Sequence, residues 1–216
     1  MKKILVTMAA LFACQTGHAG SWYVGAGLGA AHANDASTNA ALNNSTLSRY
    51  GISEITSYED RSAAVSLLGG YRFNKHVAAE FNYNYLGYYD MYGVAAAGAV
   101  SPSGEESNWA YALSLDAVLT APIYHSFSLY GKFGPTLTTN EESTCTSNNW
   151  WCDYTSDTKN GLMYGAGVTF SFPRLIGAFR LEADRFTSVG DSHNEFTAGK
   201  FTLIQLQYVY SFPERN

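Results

Sequence analysis

Several residue groups in this sequence have types that carry chemistry elsewhere. Asp191, Ser192 and His193 supply an acid, a hydroxyl and an imidazole, but as consecutive residues their side chains diverge and cannot by themselves build the relay that activates a serine. Cys145 and Cys152 have six residues between them, and no histidine lies among these to complete a zinc site. That pattern predicts a loop disulfide rather than a metal centre. Seven charged residues, Arg72, Glu80, Asp116, Lys132, Arg180, Glu182 and Asp184, stand singly inside apolar stretches. A charge in such a setting pairs with an opposite charge or lines a passage, because an unpaired one costs several kcal/mol. The other acids gather in polar segments: Asp35, Glu54, Glu59 and Asp60; Asp90, Glu105 and Glu106; Glu141, Glu142, Asp153 and Asp157. They lack EF-hand spacing and read as solvated carboxylates. No metal, cofactor or catalytic set is expected.

The segments that carry the single charges alternate with period two, which is the strand repeat. In residues 61–73, Ala63, Val65, Leu67, Tyr71 and Phe73 share one face and Ser62, Ala64, Ser66, Gly70 and Arg72 the other. Residues 77–89 set Val77, Ala79, Phe81, Tyr83, Tyr85 and Tyr89 against Ala78, Glu80, Asn82 and Asn84. Further strands are predicted over residues 21–31, 108–121, 127–139, 161–172, 178–187 and 200–212, eight in all. Connections alternate between short (74–76, 122–126, 173–177) and long (32–60, 90–107, 140–160, 188–199). Short turns at one end and long loops at the other are the plan of an antiparallel, up-and-down transmembrane β-barrel, and eight strands leave a bore that side chains fill. A soluble barrel would invert the faces, with large apolar groups inside and charges outside. Here the wet face carries small residues, amides and the single charges, and 16 Tyr, 12 Phe and 4 Trp suffice for interfacial girdles.

Composition agrees. The chain is 46% hydrophobic and 15% aromatic, with 14% charged residues against roughly a quarter in ordinary soluble domains. Its mean hydropathy of −0.13 and the lack of a long apolar run past the N-terminus exclude a bundle of spanning helices. A net charge of −5 without any basic cluster excludes nucleic acid as a partner. Lys2 and Lys3, the apolar run Ile4 to Ala13 and Gly17-His18-Ala19 read as a signal peptide over 1–19, leaving a mature barrel domain over 20–216. Leu11-Phe12-Ala13-Cys14 offers a lipoprotein signal as a rival reading. Signal removal leaves a single cysteine pair in an oxidising compartment that permits a disulfide.

Several stretches resemble the OmpA-type transmembrane domain. They are Trp22-Tyr23-Val24-Gly25, Leu68-Gly69-Gly70-Tyr71-Arg72-Phe73-Asn74, Ala79-Glu80-Phe81-Asn82-Tyr83, Leu129-Tyr130-Gly131-Lys132-Phe133-Gly134, Phe179-Arg180-Leu181-Glu182 with Val189-Gly190-Asp191, and Leu206-Gln207-Tyr208-Val209-Tyr210-Ser211-Phe212. The resemblance covers nearly the whole mature chain. It implies an outer-membrane location and a lumenal charge network containing Glu80, Arg180, Glu182 and Lys132, the last where the family usually has arginine. The family's lumenal lysine on the fourth strand has no counterpart; Asp116 and Val118 occupy that region. No peptidoglycan-binding domain follows within the sequence.

The resulting expectation is a monomeric structural and surface-interaction protein in outer-membrane lipid and lipopolysaccharide, with loops open to a host-surface or phage ligand. A narrow gated pore is the alternative. A lipid A-modifying enzyme at the outer rim is the second alternative, with His32 and His193 brought together by barrel closure and Ser37, Ser192, Asp191 and Glu195 nearby in sequence. Arg185 falls on the lipid-facing parity near the loop end, where a lipopolysaccharide phosphate would balance it.

Overall fold

Alternating apolar side chains dictate a strand with one face for lipid, and in lipid no backbone N–H or C=O finds water, so the ladder must close on itself. The computed structural model describes residues 20–34, 54–94, 103–146, 149–172, 176–189 and 199–213. For 54–56, 91–94, 103–106, 144–146 and 149–153 it gives the backbone alone. The strands are β1 (Ser21–Ala33), β2 (Glu54–Tyr58), β3 (Arg61–Arg72), β4 (Val77–Val94), β5 (Ser103–Tyr124), β6 (Phe127–Thr146), β7 (Asn149–Ser171), β8 (Ala178–Val189) and β9 (Gly199–Ser211). Neighbours pair antiparallel around the ring, and β1 pairs with both β3 and β9, which closes it. The short β2 sits on β4 in line with β3. The eight expected strands are therefore the eight staves of a closed barrel.

The strands run further toward the long-loop end than periodicity alone indicates. β6 and β7 stay in register from Phe127↔Phe170 out to Cys145↔Cys152, and β4 pairs β5 as far as Val94↔Ser103. Segments 90–107 and 140–160 are thus mostly hairpin, not loop. Both faces of residues 154–160 are exposed or half-buried, so no hydrophobic alternation announces that stretch.

At the opposite end Asn74 builds a tight turn: its Oδ1 accepts from the backbone N–H of His76 (2.6 Å) and Val77 (2.9 Å), the side-chain mimicry of a backbone turn that favours Asn there. The termini of the described barrel, Ser21 and Ser211, lie at this turn end.

The outward face is apolar, with Leu28 70% exposed and Leu115 60% exposed. Aromatic rings band it near both ends. Trp22, Tyr71 and Phe73 stack edge to face at the turn end, as do Phe170, Phe172 and Phe179, while Tyr83 with Tyr111 and Tyr88 with Trp109 pair toward the loops. Such girdles belong at membrane–water interfaces.

One expected orientation is corrected. Tyr89 was assigned to the lipid face, yet it is fully buried inside. A bulge between Tyr85 and Gly87 inserts one residue into β4 and reverses its phase: Leu86 still faces inward with the even positions Asn82 and Asn84, and beyond it the odd position Tyr89 turns inward. Gly87 has a φ of 108° there, and its successor Tyr88 donates its backbone N–H to Ser62 Oγ at 2.9 Å.

Candidate functional site

The inward positions of the strands converge on one axis, and their chemistry changes along it. Through the middle lies a polar layer. Lys132 on β6 reaches two acids of β8, Glu182 Oε1 at 2.6 Å and Asp184 Oδ2 at 3.1 Å. Arg180, on the same strand, crosses to Glu80 on β4 with Nη1–Oε1 2.5 Å. Hydroxyls and amides complete these pairs: Tyr23 donates to Glu80 (2.8 Å), Tyr130 to Glu182 (2.6 Å), and Gln205 and Gln207 to Glu182 Oε1 (2.9 and 3.2 Å). The Arg180 guanidinium also lies over the rings of Tyr130 and Tyr23, at 5.1 and 5.4 Å. Gly27 permits this crowding, since a Cβ there would stand 2.5 Å from Ser66 Oγ and 2.7 Å from Gln207 Cγ.

Asp116 and Arg72 stand apart from the ion pairs. Asp116, register partner of Glu80, accepts from Asn82 and Ser114 at 2.7 Å each. Arg72 is half-buried at the turn end, its guanidinium carbon 5.4 Å from the Tyr23 ring centroid. All seven charged residues that strand parity points inward thus face the bore, and five of them join into ion pairs.

Toward the loops an apolar cluster fills the interior beside the buried amides of Asn108 and Asn140, where Asn140 Nδ2 donates to Asn108 Oδ1 at 3.1 Å. Leu86, Tyr89, Met163, Phe186, Phe201 and Leu203 are each at most 1% exposed and form one cluster with Ala31, Ala64, Ala110 and Ala112. Tyr89 and Phe201 meet edge to face at 5.4 Å, and the Tyr89 hydroxyl donates to Leu86 O at 2.7 Å. Neither this cluster nor the roles of Tyr23 and Tyr130 appears among the expected site residues. Phe186 and Leu203 follow in parity from Glu182 and Gln205 and were open to counting. Tyr89 was not, because the bulge precedes it.

A family model described as the OmpA-like transmembrane domain matches residues 17–216. The chain belongs to the OmpA-like transmembrane domain family. This OmpA-like barrel accordingly resides in the outer membrane, its short turns toward the periplasm and its long loops outward. Among solved structures it resembles neisserial surface protein A, with TM-score 0.52, 12% identity and coverage of 90% of this chain and 100% of the other. The attachment invasion locus protein of Yersinia pestis gives TM-score 0.46 and 16% identity over 89% of this chain and 97% of that one. OprG of Pseudomonas aeruginosa gives 0.46 and 12% over 92% and 99%. No curated protein matches significantly in sequence.

Of the remaining candidates, Arg185, His32 and the register partners Cys145 and Cys152 lie toward the loop end of the OmpA-like barrel. Arg185 is half-buried on the outward face and donates to Thr202 Oγ1 at 3.0 Å. Cys145 and Cys152 are register partners in the β6–β7 hairpin; their side chains lie outside those described. His32 Nε2 pairs with Asp60 Oδ2 at 3.3 Å. Ser37, Asp191, Ser192, His193 and Glu195 lie outside the described residues, as does the segment 1–19.

Proposed function

We propose that this OmpA-like barrel serves the outer membrane as a closed structural element that presents its outer loops to lipopolysaccharide and to ligands outside the cell, without catalysis. The observation that carries the reading is the filled bore: an apolar cluster at the loop end stacked on a layer of ion pairs. An ion crossing it would leave water twice, first among Tyr89, Phe186 and Phe201 and then through charges already committed to partners. Planar-bilayer recordings of the purified protein test this, with no conductance above background expected at any voltage or pH; stepwise openings would overturn it.

A narrow gated pore is the second reading. It draws on Ser66 Oγ, both amide atoms of Asn84 and Gln207 Oε1, which are buried without a protein partner among the described residues, and buried polar atoms of this kind are where bridging water sits. The same recordings separate the two.

Three smaller assignments accompany the main one. The signal peptide leaves after Ala19, and Cys145 and Cys152, opposite one another in their hairpin, join as a disulfide beyond the membrane. Intact mass of protein extracted from the membrane tests both: the chain should begin at Gly20 and gain two hydrogens on reduction. Arg185 meets a lipopolysaccharide phosphate, and unchanged lipopolysaccharide retention by Arg185→Ala would remove that contact.

A further inference from the structure

The turn end of the bore is not filled. Inward of the turns lies a cavity of about 340 Å³, lined by Arg72, Lys75 and Arg180 among hydroxyls that include Thr120, Ser128 and Thr169, with no acid among its lining residues. Of the three cations that face this space, only Arg180 is held by a carboxylate among the described residues, that of Glu80 behind it.

The two arginines differ in how they are satisfied. Arg180 spends Nη1 on Glu80, while its Nε is buried and lacks a protein partner among the described residues. Arg72 has no ion pair among the described residues, and the face of Tyr23 lies beside its guanidinium. Both guanidinium carbons lie 5.4 Å from the centroid of that one ring. Lys75, exposed on the Asn74 turn, adds a third positive charge at the mouth. Guanidinium forks match the planar edge of an oxyanion, and serine and threonine hydroxyls can supply further donors to its remaining oxygens. Low-dielectric walls concentrate the positive potential of such a recess.

We infer that this periplasm-facing vestibule binds a phosphate-type oxyanion, held chiefly by Arg72 with Lys75 at the entrance and the floor formed by Arg180. The anion balances the charge of Arg72, which has no ion pair among the described residues. The cavity exceeds a bare phosphate, so a phosphate ester fits as well as the free ion. A soluble phosphate ester and an inner-leaflet lipid headgroup share this recognition chemistry.

The experiment titrates inorganic phosphate into the folded full chain in uncharged maltoside micelles by calorimetry, with a parallel arm using a short-chain phosphatidylglycerol. Saturable binding in either arm is expected, weakened about tenfold in Arg72→Gln, the loss of one charge-assisted contact, and several-fold in Lys75→Gln. Binding of phosphate identifies a soluble source, and binding of the lipid alone a headgroup. Gel mobility before and after heating checks that both variants are folded, and Lys75→Gln, on an exposed turn, keeps the test valid should Arg72→Gln fail to fold. Absence of saturable binding in both arms, or affinity unchanged in the folded variants, overturns the proposal.

Discussion

Arg180 ties three strands together: it pairs with Glu80 of β4 and lies over Tyr130 of β6 and Tyr23 of β1. Replacing it with alanine leaves the Glu80 carboxylate buried with only the Tyr23 hydroxyl on the same oxygen. Breaking a buried pair from one side costs about 3–5 kcal/mol, because the surviving charge is stranded. Arg180→Ala should therefore destabilise the barrel by about that much in urea unfolding from lipid vesicles. The double variant Arg180→Ala with Glu80→Gln should recover a clear part of the loss, since no charge remains to be stranded. Additive losses would show that the two side chains are not coupled. Alternation in the sequence puts both residues on the wet face, while the choice of partner depends on how far β8 is staggered against β4, which no local pattern encodes.

Strand β4 shows where such alternation stops working. Its phase holds from Val77 to Tyr85 and reverses at the bulge, and the only local mark of the reversal is Gly87, a residue equally at home in a regular strand. At Gly87 the backbone adopts φ 108° and a Cβ would collide with the Ser62 side chain, so Gly87→Ala meets both backbone strain and a clash. A residue held in that region costs of order 1–3 kcal/mol. Gly69→Ala is the control, because a Cβ there has nothing within 4 Å, and removing a strand glycine should be neutral or slightly stabilising. Unfolding midpoints in urea should fall for Gly87→Ala and hold for Gly69→Ala; equal midpoints would mean that the bulge is not constrained by its glycine. The outer halves of β6 and β7 were illegible for a different reason. Residues 140–145 pair with 152–157 in one register, yet the stretch 154–160 is exposed or half-buried on both faces, so its pairing leaves no apolar repeat to read.

Taken along its axis, the molecule places two fillings in series above an open periplasmic recess. The sequence made the barrel, its closure and its polar middle readable, because lipid outside and a crowded axis inside impose opposite demands on successive residues. The apolar filling escaped because a cluster of Leu86, Met163 and aromatic rings on the inner face follows no rule of a wet lumen. Permeation through two barriers in series is governed by the tighter one, so opening the first need not open the path. Tyr89→Ala with Phe201→Ala removes the stacked rings that span the bore from β4 to β9. Each large-to-small change in such a packed site costs about 3–5 kcal/mol, and the pair should lower the unfolding midpoint accordingly. Bilayer current should nevertheless stay at background, since the Lys132, Glu182 and Asp184 cluster and the Arg180–Glu80 pair still bridge the wall below. Current appearing in this variant alone would mean that the ion-pair layer leaks, that the apolar cluster is the seal, and that the native protein is a pore held shut at its outer end.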